Sequence, residues 1–237
     1  MKIRGERECT ECGTRWSYYE TGSVGCPACG SLRSVGRDER REHTDLEVEF
    51  DLTPVRADVD ESSTAELAER AHDRASTYVR RRGFVRGGEL RDLDDDYLAA
   101  LELRHASDVV ARRMRIDDRE ELYFLSLLRD ADAGGRPPAE EVPASMHAPR
   151  GLAAADAVEE YRRDVRTWAE GRDLAPAERG ILETLGDHVR RVRMLEGNVP
   201  PESADRLVEA ARDLGIGLRE RDEDAVARAQ DRLERLE

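Results

Sequence analysis

Hydrophobic residues in the second half of the chain recur every three or four positions, which is the spacing of one face of an α-helix. The pattern predicts two helical hairpins over residues 152–237, with turns at residues 171–176 and at Gly215-Ile216-Gly217. Such stripes indicate packing, either into a bundle within the chain or against a second copy as a homo-oligomer. The stripe positions are Val158, Tyr161, Val165 and Trp168; Leu182, Leu185, Val189 and Val192; Leu207, Val208, Ala211 and Leu214; and Val226, Ala229, Leu233 and Leu236.

The same helical spacing occurs over residues 63–131, which we predict to be a helical domain. Ser63 and Glu66 have the spacing of a capping box, so a helix is expected from there to about residue 82. A second helix is predicted from Glu89 to about Met114, and a third begins at Asp117 and ends near residue 130.

Two stretches lack helical spacing. Residues 37–62 form a predicted connector with one strand, in which Leu46, Val48 and Phe50 alternate with acidic residues. Residues 132–151 combine glycines and prolines without periodicity, which predicts a flexible linker. The whole pattern indicates a mainly α protein with a small N-terminal β part.

Charge is abundant and unevenly distributed. The formal net charge is −14, and Lys2 is the sole lysine, so 38 of the 39 basic residues are arginines. An acidic, lysine-poor surface suits high intracellular salt, although a GC-rich genome also favours these codons. Residues 1–45 hold eight basic and eight acidic side chains and are therefore the part that is not acidic. No apolar run approaches the length of a membrane span, so a cytoplasmic protein without membrane contact is expected.

The four cysteines of the chain lie near its start, at Cys9, Cys12, Cys26 and Cys29. They form two copies of C-x-x-C-G, and 13 residues separate the pairs. This spacing is typical of a four-thiolate metal site, and a closed site of this type holds structural zinc. Strand formers at residues 14–19 and turn residues at 21–25 predict a β-hairpin that returns to the second pair.

Three other interpretations of the cysteines are weaker. Disulfides are typical of small secreted domains, but the charged first residues do not resemble a signal peptide. A redox C-x-x-C is expected beside a βαβ pattern, which is absent. A rubredoxin-like iron site shares the trailing glycines, but its loop between the pairs is longer.

Residues 1 to about 36 resemble a zinc ribbon of the type found in archaeal transcription initiation factor B and in RNA polymerase subunits. The whole chain also resembles an uncharacterised protein family of halophilic archaea, in which such a ribbon precedes helices. The cyclin-like repeats of the initiation factor have no counterpart here, which argues against that function. The resemblance implies a fold and a metal but not an activity, because ribbons occur in proteins of many functions.

No catalytic motif accompanies the cysteines. The five histidines are scattered, and no nucleophile-elbow, phosphate-loop or dinucleotide-binding pattern occurs. We therefore expect a non-enzymatic interaction or scaffold protein with a protein partner; the alternative is a regulator that binds DNA or RNA through the ribbon. The predicted contact residues are Arg4, Arg7, Arg15, Trp16, Tyr18 and Arg33.

Overall fold

The computed structural model describes residues 1–113 and 115–236, and short strands shape its N-terminal module. Strand β1 (Lys2–Ile3) pairs antiparallel with β5 (Arg41–Glu42). Strands β2 (Glu6–Cys9), β3 (Arg15–Ser17) and β4 (Ser34–Gly36) form an antiparallel sheet in the order β3-β2-β4, and helix α1 (Tyr18–Thr21) follows β3. The β part therefore extends past residue 36 to Glu42.

Helices make up most of the chain after the module, so the prediction of a mainly α protein with a small N-terminal β part is confirmed. They are α2 (Thr53–Arg56), α3 (Thr64–Arg81), α4 (Asp95–Arg112), α5 (Asp118–Asp130), α6 (His147–Trp168), α7 (Pro176–Met194), α8 (Pro201–Glu220) and α9 (Glu223–Glu234). A small hairpin of β6 (Val85–Arg86) and β7 (Glu89–Leu90) lies between α3 and α4.

Side-chain caps fix the beginnings of two predicted helices. Ser63 Oγ accepts a hydrogen bond from the Glu66 N–H at 3.3 Å, and the Glu66 carboxylate accepts one from the Ser63 N–H at 3.0 Å. The capping box of α3 is thus confirmed. Asp117 and Glu120 form the same reciprocal pair at the start of α5.

The second helix begins later than predicted. Glu89 and Leu90 belong to β7, and α4 starts at Asp95 after Asp94, whose carboxylate accepts the Tyr97 N–H at 2.9 Å. Gly87 and Gly88 have positive φ angles of 61° and 86°, so they form a tight turn instead of a first helical turn. At its other end α4 stops at Arg112, and the predicted terminus at Met114 lies outside the described residues.

The predicted strand at residues 46–50 does not form. Leu46, Val48 and Phe50 are half-buried while Glu47 and Glu49 are exposed, so the alternation is present. No neighbouring strand pairs with this segment in the described chain; the Leu46 N–H donates instead to the Arg81 carbonyl at 3.0 Å. An alternating side-chain pattern does not by itself provide the neighbouring strand with which a β-strand must form backbone hydrogen bonds.

The interpretation of residues 132–151 as a flexible linker is wrong. This segment contains short 3₁₀ turns at Ala131–Ala133, Ala139–Glu141 and Ala144–Met146, and α6 begins at His147. Val142 and Met146 are 7% and 0% exposed and pack in the core formed by α3, α4 and α5. The prolines start tight turns here, and the apolar residues between them anchor the segment.

The second predicted turn, at Gly215-Ile216-Gly217, lies within helix α8. A Cβ atom on Gly215 would stand 2.1 Å from the Tyr161 hydroxyl, and one on Gly217 would stand 2.6 Å from Val226 Cγ2. Both glycines therefore let α6 and α9 approach α8 closely, and the chain turns only after Arg221, where φ is 58°.

The apolar stripes pack within the chain, as one of the two alternatives predicted. One hydrophobic core combines residues of α3 and α4 with residues of α6, α7, α8 and α9. Phe84 joins the two groups, because its ring contacts those of Tyr97 and Tyr161 edge-on, with centroids 4.8 Å and 5.1 Å apart. The predicted regions 63–131 and 152–237 thus share a core.

Candidate metal centre

The two C-x-x-C-G segments have the same backbone structure. In the first, the Cys9 N–H donates to the Thr14 carbonyl at 2.9 Å and the Gly13 N–H donates to the Cys9 carbonyl at 3.0 Å. In the second, the Cys26 N–H donates to the Ser31 carbonyl and the Gly30 N–H to the Cys26 carbonyl, both at 2.9 Å. Each pair of sulfurs is therefore presented by an equivalent turn.

The glycine that follows each pair is required by these turns. Gly13 and Gly30 have φ angles of 73° and 72°, a conformation that side chains with a Cβ atom rarely adopt. A Cβ atom at either position would meet nothing within 4 Å, so the requirement comes from the backbone and not from crowding.

The four sulfurs converge on one point. All four Sγ atoms lie within 4.8 Å of one another; Cys9 and Cys29 are 3.7 Å apart, and Cys12 and Cys26 are 3.5 Å apart. These distances exclude disulfides, whose sulfurs are about 2.05 Å apart. A tetrahedral ion with metal–sulfur bonds of about 2.3 Å requires sulfurs about 3.8 Å apart. The cluster is therefore compatible with a four-coordinate metal site.

Acidity within the cluster favours a cation. Hydrogen bonding to the Thr14 hydroxyl, 3.2 Å from the sulfur, lowers the pKa of Cys12 to about 6. The Ser31 backbone N–H lowers the pKa of Cys29, but the nearby Cys12 and Cys26 raise it more, to about 12. The four sulfurs therefore oppose one another's ionisation, and a bound cation would favour the thiolate form of all four.

The sequence matches one known protein family over almost its whole length. The chain matches DUF7117, a family of unknown function, over residues 1–233. The chain belongs to DUF7117. No curated protein and no solved structure gives a significant match to this DUF7117 chain. Membership therefore assigns a family but no activity.

The buried side of the cluster packs on Trp16. Cys9 and Cys26 are 2% and 3% exposed, whereas the second cysteine of each pair is exposed. Trp16 is 7% exposed, belongs to one small buried cluster with Cys9 and Cys26, and donates its indole N–H to the Ser23 carbonyl at 3.0 Å. Trp16 is thus a core residue of the DUF7117 module, and it is not placed for the partner contact that the sequence suggested.

The predicted hairpin between the cysteine pairs is also wrong. Strand β3 pairs with β2, so the hairpin encloses the first C-x-x-C, and the chain then enters α1. The second pair is held instead by β4, which pairs with the other edge of β2, and by the Thr10 N–H, which donates to the Arg33 carbonyl at 3.0 Å.

Three of the predicted contact residues lie together. Arg4, Arg7 and Tyr18 line one groove of about 420 Å³ on the module, beside Lys2 and Arg40. The groove is lined by these side chains together with Ile3, Val24 and Gly36, so none of its lining residues is acidic.

The other two predicted arginines lie outside this groove and pair with carboxylates. Arg15 Nε lies 3.0 Å from a Glu8 carboxylate oxygen, and Arg33 Nη1 lies 3.3 Å from Glu11. Arg4 and Arg7 donate instead to the Gly36 carbonyl and the Ser34 hydroxyl, so their charge is not neutralised by an ion pair in the described chain.

Residues 43–45 join the module of this DUF7117 chain to its helices. The ring of buried His43 meets that of Tyr18 edge-on and that of Tyr19 at a tilt, and burial lowers the pKa of His43. Asp45, 2% exposed, pairs with Arg82 and with Arg86. Sequence analysis did not identify this junction, because its partners are about 40 residues apart and share no motif.

No helix in the described part of the chain has both the length and the apolar character needed to cross a membrane.

Proposed function

We propose that the N-terminal module is a zinc ribbon and that the protein is a non-enzymatic interaction protein, which binds an acidic segment of a partner protein through the ribbon. The convergence of four cysteine sulfurs, all within 4.8 Å of one another, carries the proposal.

Zinc suits this donor set best. Thiolates are soft ligands, and four of them in a tetrahedral arrangement form the usual structural zinc site. Four protein ligands leave no open position for substrate or water, so the ion has a structural role. Because the module is small, zinc binding supplies most of its folding free energy, about 10 kcal/mol or more for such sites.

The basic groove favours an acidic partner. Lys2, Arg4, Arg7 and Arg40 line a groove without an acidic lining residue in a chain whose net charge is −14, and of these Lys2 also lies 3.7 Å from Glu42 and from Glu170. Local positive charge attracts a short acidic segment, while the acidic remainder of the chain repels a longer one. Tyr18 and Val24 add apolar contact area in the same groove.

Nucleic-acid binding is the second candidate, because phosphate groups carry the same charge as an acidic peptide. The size of the groove favours the protein partner. Four cationic side chains neutralise only a few phosphates, and the acidic helices oppose an extended nucleic acid.

Two experiments test the proposal. The first is metal analysis of the purified protein, for which we expect one zinc per chain. Absence of a stoichiometric metal, or the visible absorption of an iron–sulfur site, would refute the zinc ribbon.

The second is a binding titration with an oligoglutamate peptide, duplex DNA and single-stranded RNA, each over a range of salt concentrations. We expect the peptide to bind, the Arg4→Glu/Arg7→Glu variant to lose binding, and Arg74→Glu on exposed α3 surface to retain it. Selective binding of DNA or RNA would favour the second candidate. If the Arg4→Glu/Arg7→Glu variant binds the peptide as well as the wild type does, the groove is not the binding site.

A further inference from the structure

A cavity of about 530 Å³ lies between the C-terminal end of α3 and helices α4 and α6, away from the cysteines. Its volume is in the range of small-molecule sites. Val79, Phe84, Tyr97 and Leu101 line it and are between 1% and 7% exposed, so its apolar part consists of fixed core side chains. The apolar part of the cavity is thus formed by buried core side chains of α3 and α4 and by Phe84, which follows α3.

Tyr97 contributes a polar group to the lining of this cavity. The residue is 2% exposed, and its ring packs against Phe84 and Tyr78. Its hydroxyl makes no hydrogen bond within residues 1–113 and 115–236, and it is not one of the fully buried unpaired polar atoms, so solvent in the cavity reaches it. The hydroxyl is therefore free to bind a ligand in the cavity.

Four arginines and three carboxylates line the cavity, so its ionisable side chains carry one more positive than negative charge. Asp156 pairs with Arg104 at 2.8 Å and Arg193 at 2.9 Å, and Asp164 accepts hydrogen bonds from the Thr44 hydroxyl and the Phe84 N–H at 2.6 Å and 2.7 Å. These carboxylates already have in-chain donors.

Two other arginines of the lining, Arg163 and Arg80, differ in whether a carboxylate pairs with them. Arg163 pairs with Glu160, the third carboxylate of the lining. Exposed Arg80 contacts only the Thr77 hydroxyl of its own helix, at 3.4 Å, and no carboxylate of the described chain pairs with it. Burial raises the pKa of Glu160.

We propose that this cavity binds a small organic anion, with the anionic group held by Arg80 and the Tyr97 hydroxyl and an apolar, ring-sized body against Phe84 and Leu101. A carboxylate and a phosphate share this chemistry. The inference is independent of the zinc ribbon and of its partner.

The test uses the zinc-loaded full chain with methyl-labelled valine and leucine. Benzoate and phenyl phosphate serve as the two anionic probes, with benzyl alcohol as a ring without charge and inorganic phosphate as a charge without a ring. We expect saturable NMR shifts of the Val79 and Leu101 methyl groups with an anionic probe, and the tighter of the two probes identifies the head group. The proposal is overturned if neither anionic probe shifts these methyls, or if benzyl alcohol binds equally well.

Variants then assign the contacts. Tyr97→Phe keeps the packed ring and should weaken binding about fivefold, the effect of one lost neutral hydrogen bond. Arg80→Gln should weaken it about tenfold, because a charge-assisted hydrogen bond is lost. Arg74→Gln removes the same charge from the exposed surface of α3 outside the cavity and should leave binding unchanged. Equal loss in the Arg80 and Arg74 variants, or full binding by both Tyr97→Phe and Arg80→Gln, would contradict the assignment.

Discussion

Glu102 and Arg150 form a buried ion pair that joins α4 to α6. The Arg150 Nη1 atom lies 2.9 Å from Glu102 Oε1, and the side chains are 3% and 0% exposed, respectively. Arg136 donates to the second Glu102 oxygen at 2.7 Å, Tyr123 donates its hydroxyl to the first, and Asp205 pairs with Arg150 at 2.6 Å. The network satisfies each buried charge and connects the segment at 132–151 with three helices.

Replacing Arg150 should therefore destabilise the fold strongly. Arg150→Met leaves Glu102 buried with fewer partners, and we expect the free energy of unfolding to fall by about 3–5 kcal/mol. Urea denaturation followed by far-UV circular dichroism measures this change. Arg190→Ala breaks an exposed ion pair with Asp187 on α7 and should cost about 1 kcal/mol or less. Similar losses in the two variants would mean that the buried network contributes no more to the free energy of unfolding than an exposed ion pair does.

Metal removal should unfold the N-terminal module and leave the helices folded. The helical core contains none of the cysteines, whereas Trp16 shares a small buried cluster with Cys9 and Cys26. In a Trp168→Phe background Trp16 is the remaining tryptophan, so its fluorescence reports the module. We expect a chelator, or Cys26→Ser, to shift this fluorescence toward that of exposed tryptophan while far-UV circular dichroism changes little. Loss of the helical signal at the same chelator concentration would contradict this expectation.

Two glycine-to-alanine substitutions should act in opposite directions. Gly30→Ala places a Cβ atom on a backbone with φ of 72°, and we expect a loss of about 1–2 kcal/mol together with weaker metal binding. Gly180→Ala lies in α7, where a Cβ atom meets nothing within 4 Å, and should stabilise the chain by about 0.5–1 kcal/mol. Thermal denaturation and competitive zinc titration measure the two effects. Equal effects would indicate that the turn at Gly30 does not need the left-handed conformation.

Asp156 should make stability depend on acidic pH. Burial by itself raises its pKa, but hydrogen bonds from His105 and Arg193 and the charge of Arg104 outweigh burial, so the pKa lies below the ordinary 3.8. A carboxyl with a lowered pKa stabilises the folded state above its unfolded pKa, and this contribution is lost as the pH falls below 3.8 through the lower folded value.

Asp156→Asn should consequently lose about 1–3 kcal/mol at neutral pH, since the amide keeps one acceptor oxygen but loses the second and the negative charge that Arg104 and Arg193 face. Its stability should also fall less steeply than that of the wild type below pH 3.8. Urea denaturation between neutral and acidic pH tests both statements. Asp187→Asn, on an exposed part of α7, is the matched control. Parallel curves for the wild type and Asp156→Asn would refute the linkage.

The sequence features that predicted structure correctly involve residues only a few positions apart. The capping box at Ser63, the start of α5 after Asp117 and the stripes of α6 to α9 depend on residues a few positions apart, and the structure contains them. The cysteine spacing belongs to the same class, because each C-x-x-C-G turn is set by five consecutive residues.

Tertiary contacts account for the errors. Gly215 and Gly217 suggested a turn, yet their small size serves packing against Tyr161 and Val226, which are distant in sequence. The prolines of residues 132–151 suggested flexibility, but Val142 and Met146 bury themselves in a core that the sequence does not display. Trp16 was proposed as a contact residue because an aromatic residue in a small exposed module gives no sign of its burial.

The buried position of Met146 limits how the chain can be divided. A fragment that stops at residue 131 would remove Val142 and Met146 from the core of α3, α4 and α5, and it would leave Glu102 without Arg136 and Arg150. The complementary fragment would in turn expose the surface of α6 that packs on Phe84. Protease cleavage between the two halves should therefore yield pieces that stay associated, and neither half is expected to be soluble when expressed alone.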